Sequence, residues 1–309
     1  MDIKEKNFVS AVVYLGDRPD AVAPFLERLN ERLRTNFERY EIICVSDASP
    51  LCAAAARECA KKLRIEAPLT LINMSVRQGV EPCMNAGLDA AIGDYVFEFD
   101  SVALSFAPEL IIDCYKKCLE GFDIVTAAPS RTGKISSRAF YSLFNAASRS
   151  AYKLRTDSFH ILSRRAINRL HAINSHMPYR KAAYAASGLR LATVEYEQFG
   201  ECAPSREYRA DQAIDALALY TDAAYKTSLF ISLALLAVTV FSIIYTFVIY
   251  FGAKKPVEGW TTTMILMSAG FFGVFLLFTF VIKYLSLLVD LVFRNQKYLV
   301  ESVEKIQYE

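Results

Sequence analysis

The stretch Tyr40-Glu41-Ile42-Ile43-Cys44-Val45-Ser46-Asp47-Ala48-Ser49 decides the fold of this chain. Its apolar residues predict a buried β-strand over Tyr40 to Val45, and the polar residues that follow mark the end of that strand. Amphipathic helices are predicted on either side, over Asp20 to Asn36 and over Leu51 to Leu63. A strand between two helices is the building unit of an α/β protein.

The same alternation continues in both directions along the chain. It predicts strands over Val9 to Tyr14, Leu69 to Met74, Tyr95 to Phe99 and Asp123 to Ala127, and helices over Glu81 to Ala91 and Pro108 to Glu120. This order indicates a mainly parallel sheet with helices on both faces. Ligands of such sheets bind outside the carboxyl ends of the strands, so the residues that follow the strands are the candidates for a site.

Acidic and aromatic residues stand at those strand ends. Tyr14 and Asp17 follow the first strand, Asp47 follows the second, and Asp100 follows the fourth. Two aspartates at what we expect to be neighbouring strand ends favour one shared crevice. The alternative is that Asp47 only caps the next helix and Asp100 only ends a strand.

Two apolar runs near the C-terminus predict a membrane anchor. Ser228 to Phe251 and Thr261 to Ile282 contain 24 and 22 residues without a charge, and about 20 helical residues cross the hydrocarbon core of a bilayer. A pair of buried core helices is the alternative reading. Six basic residues flank the hairpin outside and two lie in its loop, which predicts that both tails are cytoplasmic, with the hairpin in the cytoplasmic membrane.

Composition narrows the classes of function. A net charge of +2 on 309 residues gives no basic surface of the kind that nucleic-acid binders carry, so nucleic acid is not an expected partner. Seven cysteines without metal-ligand spacing indicate small core residues in a reducing compartment, without a disulfide or a zinc site.

Several segments resemble family-two glycosyltransferases with the GT-A fold, of the polyprenyl-phosphate type that carries two C-terminal spans. Residues 40–49 stand where that family has a strand and an Asp-Gly-Ser turn that holds the nucleotide base. Residues 85–96 are similar to the helix, turn and strand that lead into its D-x-D motif, here Asp100-Ser101-Val102. Residues 120–125, 140–141 and 158–165 resemble later segments in the same order.

The resemblance implies an activity and its ligands. A family member of this type moves a sugar, with inversion, from a nucleotide sugar to a polyprenyl phosphate at the cytoplasmic membrane face, in the synthesis of cell-surface glycans. Tyr14, Asp17, Asp47 and Asp100 then correspond to donor-binding residues, and Asp100 to a catalytic ligand of Mg²⁺ or Mn²⁺. A homo-oligomer is also implied by resemblance.

The sequence departs from the family pattern where the metal is held. Val102 replaces the second aspartate of D-x-D, and Gly16-Asp17 replaces the usual Asn-Glu after the first strand. Glu98 shares a strand face with Asp100 and is a weaker substitute ligand. Asp157, next to the position of an acidic residue in relatives, is the other catalytic candidate. These departures leave open a catalytically impaired partner or regulator of an active relative.

Basic residues supply the remaining site predictions. Arg131 and Arg138 follow the fifth strand, and Arg206 lies in a segment that resembles the family's Ser-Lys-Tyr, so these three are predicted to contact the donor phosphates or the acceptor. A solvated loop with scattered charges is the alternative for the first two.

The predicted organisation has five parts. They are a GT-A domain over residues 1–205, a juxtamembrane amphipathic helix over 206–227, transmembrane helices over 228–251 and 261–282, and an interfacial or oligomerisation helix over 283–309.

Overall fold

A computed structural model describes residues 4–63, 67–103, 106–130, 159–173, 179–197, 259–293 and 298–306, with scattered helical positions between 230 and 248. The chain forms two compact units. The first contains Met1–Ala216 together with Phe293–Glu309, and the second contains Leu217–Val292.

The first unit follows the predicted α/β pattern. Its strands are β1 (Val9–Leu15), β2 (Tyr40–Ser46), β3 (Leu69–Met74), β4 (Tyr95–Phe99), β5 (Ile124–Pro129), β6 (Phe159–Ser163), β7 (Leu191–Tyr196) and β8 (Val300–Ile306). Its helices are α1 (Pro19–Asn36), α2 (Pro50–Leu63), α3 (Val80–Ala90), α4 (Glu109–Leu119), α5 (Arg164–Ile173) and α6 (Arg180–Ala186). The elements predicted up to residue 127 are all confirmed, with ends within two residues of the prediction.

One sheet joins these strands in the order β7-β5-β6-β4-β1-β2-β3-β8. The four central strands β4, β1, β2 and β3 are mutually parallel, as predicted, and β5 pairs in parallel with β7. The strands β6 and β8 run antiparallel to their neighbours. The prediction that Asp47 and Asp100 follow neighbouring strands is wrong, because β1 lies between β2 and β4.

The core lies on both faces of the central strands. Every residue of β2 is buried, and β1 is buried at all positions except Tyr14. An aromatic cluster beneath α4 links Phe37, Phe97 and Tyr115 through edge-on ring contacts. The six cysteines among the described residues are buried, which confirms their role as small core residues.

Helix α3 approaches the sheet closely at a glycine. A Cβ atom on Gly87 would lie 2.2 Å from Val12 Cγ1 and 3.2 Å from Val45 Cγ2. Only a residue without a side chain fits there, so Gly87 fixes how near α3 packs on β1 and β2. The loop before α3 is thereby held over the carboxyl ends of the same strands.

The C-terminus differs from its prediction. A helix was expected over residues 283–309, but helix ends at Phe293 and residues Val300–Ile306 form strand β8. This strand covers the edge of β3, whose backbone groups would otherwise lack partners. Arg57 reinforces the pairing by donating to Glu304 from Nε and Nη2, at 2.7 and 2.6 Å. The apolar residues of the tail have a spacing that also fits a helix. The sequence of the tail contains no local signal that it pairs with a distant strand.

The second unit contains all but the last residue of α7 (Trp260–Phe293), a helix of 34 residues. Apolar side chains stand exposed along it, among them Leu266, Phe271 and Leu277. For part of α7 the structure describes only the backbone. Within the described part of the chain, we find no helix that combines the length and the apolar character needed to cross a membrane.

Candidate active site

The carboxyl ends of β4, β1, β2 and β3 meet at one edge of the sheet because these strands are parallel. Asp100 follows β4, Asp17 lies two residues after β1, and Asp47 follows β2. The loop of residues 75–79 follows β3 and leads into α3. The structure therefore brings the predicted aspartates to one edge, with Asp47 and Asp100 two strands apart, which is about 10 Å along the sheet.

Asp47 is a fixed carboxylate at the centre of this edge. Its side chain accepts hydrogen bonds from the Tyr14 hydroxyl at 2.9 Å and from the backbone N–H groups of Gln78 and Gly79 at 2.7 and 3.0 Å. It is 4% exposed. These contacts do not support the alternative that Asp47 caps α2. The carboxylate instead binds the backbone of the loop before α3. Tyr14 and Asp47, two of the predicted site residues, are therefore in direct contact.

The turn after Asp47 has an unusual backbone. Ala48 has a φ of 51°, in the left-handed region that glycine adopts without cost. The hydroxyl of Ser46 holds the turn by donating to the Ser49 carbonyl at 3.0 Å. Glycine adopts this conformation freely, which agrees with the Asp-Gly-Ser turn that the family resemblance implies here, and this chain forms the turn with an alanine.

Asp17 lies on the rim of the same edge. Its carboxylate pairs with the guanidinium of Arg77, which belongs to the loop after β3. Both side chains are more than half exposed. An exposed pair of this kind contributes little to stability, so it leaves both groups available to meet a ligand at the edge.

The C-terminal strand also reaches this edge. The side chain of Gln78 donates to the Leu299 carbonyl at 2.8 Å and accepts from the Leu299 N–H at 2.9 Å. The backbone N–H of Gln78 is also one of the Asp47 donors. The residue before β8 is therefore connected to the loop of the candidate site through Gln78, and also through Ser75, whose backbone N–H and hydroxyl donate to the Leu299 carbonyl at 3.1 and 3.3 Å.

At the other end of the site, Asp100 is held by two cations. The Arg180 Nη2 donates to Asp100 Oδ1 at 2.6 Å, and Lys181 Nζ lies 3.6 Å from Asp100 Oδ2. Both cations come from the first turn of α6. The side chains of Asp100 and Lys181 are 14% and 12% exposed, whereas that of Arg180 is fully buried.

Arg180 also joins two buried glutamates. Its Nε donates to Glu81 Oε2 at 2.9 Å, and its Nη1 donates to Glu98 Oε1 at 2.6 Å. The Tyr184 hydroxyl donates to the other oxygen of Glu98 at 2.9 Å. The predicted shared face of Glu98 and Asp100 is confirmed, because one guanidinium binds both. Both carboxylate oxygens of Glu98 accept hydrogen bonds within this network, so Glu98 does not act as a separate metal ligand in this arrangement.

The network shifts the titration of its members in opposite directions. Burial raises the pKa of Glu81 above its ordinary value, although Arg180 acts against that shift. Burial also opposes ionisation of Asp100, but the charges of Arg180 and Lys181 outweigh it and lower its pKa. The pKa of Arg180 lies well above its ordinary value, since three carboxylates outweigh its burial. Asp100 and Arg180 are therefore ionised at neutral pH.

Residues 10–187 match the model of the family described as "Glycosyl transferase family 2". This match covers more than half of the chain and contains Tyr14, Asp47, Asp100 and Arg180. The chain belongs to glycosyl transferase family 2. The family resemblance of the sequence is thereby confirmed.

Curated relatives of the family-two chain are moderately similar in sequence. It is 26% identical over 196 residues to an uncharacterized glycosyltransferase of Synechocystis sp., a match that covers 62% of this chain and 61% of the relative. It is 26% identical over 195 residues to the bactoprenol glucosyl transferase of Shigella phage SfV, covering 61% of this chain and 62% of the relative. The chain thus spans about three fifths of the length of these relatives.

Solved structures show that the fold is GT-A. The mannosyltransferase PcManGT from Pyrobaculum calidifontis, in complex with GDP-Man and Mn²⁺, superposes with a TM-score of 0.52 at 15% identity, over 93% of this chain and 76% of the other. A glucosyl-3-phosphoglycerate synthase from Mycobacterium tuberculosis, in complex with Mn²⁺, uridine-diphosphate and phosphoglyceric acid, has a TM-score of 0.53 at 12% identity, over 69% and 76% of the two chains.

The Mn²⁺ in those structures raises the question of whether Asp100 and its surroundings fit a divalent cation. The two oxygens of Asp100 already face Arg180 and Lys181, and Val102 is buried and apolar. A divalent cation would have to compete with Arg180 and Lys181 for the same two oxygens of Asp100, and Val102 offers no oxygen ligand in place of the second aspartate. Among the described residues, no three His, Cys, Asp or Glu side chains group as metal ligands. The arrangement at Asp100 does not fit a divalent metal.

Other predicted site residues lie outside the described residues. These are Asp157, Arg131, Arg138 and Arg206. Their roles stay predictions from the family resemblance.

Sequence reasoning missed Arg180, Lys181 and Glu81. Arg180 lies 99 residues from Glu81 and 80 from Asp100, in an alanine-rich helix. The one local signal was the pair of adjacent basic residues among apolar ones, a pattern that surface helices also show. Two arginines of the resembling segment 158–165 make contacts elsewhere: Arg164 donates to the Gly93 carbonyl at 2.6 Å, and Arg165 pairs with Asp123.

Proposed function

We propose that this chain is a membrane-anchored glycosyltransferase that moves a sugar from a nucleotide-sugar donor to a polyprenyl phosphate at the cytoplasmic face of the membrane. The observation that carries the proposal is the family-two match over residues 10–187, with Asp47 fixed at the carboxyl edge by Tyr14 and the loop before α3. The name of the phage relative, a bactoprenol glucosyl transferase, supports a polyprenyl phosphate as the acceptor.

The donor binds along the edge from Asp47 to Asp100 in this proposal. The Asp47 carboxylate is buried and already accepts from Tyr14, Gln78 and Gly79, so in this proposal it positions Tyr14 and the loop before α3 around the base. The sugar and diphosphate extend across the end of β1 towards Asp100. The nucleotides bound in the solved neighbours, GDP-Man and uridine-diphosphate, support a nucleoside diphosphate as the donor carrier.

The chemistry is one displacement at the anomeric carbon. An oxygen of the lipid phosphate forms the new bond to that carbon while its bond to the diphosphate breaks, and the nucleoside diphosphate leaves with the electron pair. The phosphate is already ionised and needs no general base of its own. The protein has to align the two phosphates and stabilise the negative charge that grows on the leaving group.

The anchor belongs to the same proposal. The apolar runs 228–251 and 261–282 and the exposed apolar side chains along α7 support contact with lipid, because a monomeric soluble protein rarely exposes so much apolar surface. An acceptor that lies in the bilayer requires an active site held at its surface. The excess of basic residues outside the hairpin supports the cytoplasmic face. Oligomerisation through the C-terminal region is part of the proposal as well.

A sugar-transfer assay tests the proposal. The purified full-length chain in detergent is incubated with radiolabelled UDP- or GDP-sugars and a polyprenyl phosphate, and the label that partitions into organic solvent is counted. We expect lipid-linked label with one donor and a loss of at least tenfold in Asp47→Asn. Asp113→Asn, which changes an exposed aspartate on α4, is the matched control and keeps the activity. Absence of lipid-linked label with every donor contradicts the proposal.

A second candidate function is that of a catalytically impaired partner of an active glycosyltransferase. The observation that favours it is that Arg180 and Lys181 occupy Asp100, together with Val102 in place of the second aspartate of the motif. This candidate predicts a folded chain that gives no lipid-linked sugar by itself and that associates with an active relative.

A further inference from the structure

The charge arrangement at Asp100 has two layers. Arg180 is fully buried and is shared by Glu81, Glu98 and Asp100. Lys181 lies outside it, 12% exposed, with its Nζ facing the outer oxygen of Asp100. The inner cation compensates the buried carboxylates, and the outer one places a positive charge at the edge of the site.

This outer charge stands where the donor diphosphate lies in the proposed function. Asp100 directly follows β4, whose carboxyl end meets the same sheet edge as Asp47. A nucleotide held through its base at Asp47 and extended across β1 brings its phosphates to the end of β4. A diphosphate there requires a cation, because an unpaired phosphate charge in a partly buried site is costly.

We propose that Lys181, held by Asp100 and backed by Arg180, is the cation that binds the donor diphosphate, and that donor binding by this chain does not require a divalent metal. The inference rests on the proposed donor site. Asp100 then acts as a positioning residue, since it orients the ammonium group rather than a metal ion.

The roles of the two basic residues follow from their chemistry. A guanidinium presents its N–H groups in a rigid fork, which suits the three fixed carboxylates around Arg180. An ammonium on a flexible stem is a compact point charge with three donors, and it can turn from Asp100 towards a phosphate. A phosphate-binding role of Lys181 therefore requires an arginine at the buried position and a lysine at the more exposed one.

Calorimetric titration of the full-length chain in detergent tests the inference. UDP, GDP and the corresponding monophosphates are titrated in EDTA and, separately, in Mn²⁺. We expect one of the diphosphates to bind in EDTA with a Kd within about threefold of that in Mn²⁺. In EDTA, Lys181→Gln raises the diphosphate Kd by about tenfold or more, because a hydrogen bond to a charged group is lost.

The monophosphate is the internal control for a direct contact. If Lys181 binds the second phosphate, Lys181→Gln removes the gain in affinity from monophosphate to diphosphate and leaves monophosphate binding nearly unchanged. A merely structural role of Lys181 weakens both nucleotides together. Lys181→Arg is expected to keep the gain, and Lys117→Gln, a lysine paired with Glu120 on the exposed face of α4, alters neither affinity.

The outcomes separate the inference from the proposed function. Diphosphate binding that needs Mn²⁺, or that is insensitive to Lys181→Gln in EDTA, overturns the inference and leaves the donor site in place. Failure of every nucleotide to bind in both buffers overturns the donor site itself. Equal losses of monophosphate and diphosphate affinity in Lys181→Gln also overturn the assigned contact.

Discussion

Ala48 shows how a single residue carries strain beside the candidate nucleotide site. Its φ of 51° lies in the left-handed region, where a Cβ atom costs about 1–2 kcal/mol. The hydrogen bonds of Asp47 and Ser46 hold the turn in this conformation. The site therefore imposes its geometry on a residue that does not favour it.

Ala48→Gly is expected to stabilise the protein by about 0.5–1 kcal/mol. Glycine relieves the strain but loses more backbone entropy on folding, so the gain is smaller than the full cost. Urea denaturation followed by circular dichroism measures the change. Ala54→Gly, at an exposed position inside α2, is the matched control and should destabilise by about 1 kcal/mol. Destabilisation by both substitutions would show that the turn is not strained.

Glu81 and Asp100, which both bind Arg180, make the stability of the protein depend on pH in opposite directions. The folded pKa of Asp100 is lowered, so its contribution to stability is present above its unfolded pKa and is lost as pH falls through the folded value. The folded pKa of Glu81 is raised, so its contribution is present below its unfolded pKa and is lost as pH rises through the folded value.

Glu81→Gln is therefore expected to gain stability relative to the unchanged protein as pH rises above the ordinary glutamate value. The variant keeps a carbonyl that can accept from Arg180 but has no proton to lose. Urea denaturation at a series of pH values from about 4.5 to 8 measures the difference in unfolding free energy. Glu58→Gln, on the exposed face of α2, should show no such trend. A difference that stays constant with pH would contradict the raised pKa.

Among the elements, α3 depends on close contact with the sheet. Gly87→Ala is expected to destabilise the protein by about 1–3 kcal/mol, since the new Cβ would lie 2.2 Å from Val12 Cγ1. The cost should fall when Val12→Ala removes that methyl group. Denaturation of both single variants and the double variant gives the coupling energy. Additive costs would mean that α3 does not pack on β1 as described.

The sequence predicted the bounds of the strands and helices of the first unit far better than it predicted which strands pair with one another. The apolar runs from Val9 to Ala127 contain the periods of strands and helices, so the elements from β1 to β5 were found nearly to the residue. The order of strands was not predictable in the same way. Whether β1 lies between β2 and β4 depends on pairings between distant segments, and β8 illustrates this, because it pairs with a strand more than 200 residues earlier.

The candidate site was likewise predicted only in part from the sequence. Tyr14, Asp17, Asp47 and Asp100 could be predicted to lie at one edge of the sheet because strand ends can be located in the sequence, and their role in binding a donor stays a prediction. The cluster around Arg180 was not found, since its members come from α3, β4 and α6 and meet only in the folded chain. A buried ion network leaves no period or spacing in the sequence.

For the whole molecule, the proposed function joins a water-soluble donor to an acceptor in the bilayer. The first unit contains the proposed donor site, and the second contains nearly all of α7 with its exposed apolar side chains. The two proposed activities, transfer and partnership, differ at Asp100. A transferase needs this carboxylate to hold the cation at the diphosphate, whereas an inactive partner needs it only for stability.

Asp100→Asn separates these two accounts most directly. The measurement is the rate at which labelled sugar from the accepted nucleotide donor appears on a polyprenyl phosphate, with the purified full-length chain and with the variant, after circular dichroism has shown that both are folded. We predict that the unchanged chain turns over and that Asp100→Asn lowers the rate at least a hundredfold, since Lys181 loses the charge that positions it. A variant as active as the unchanged chain, or no turnover by either, would contradict the account.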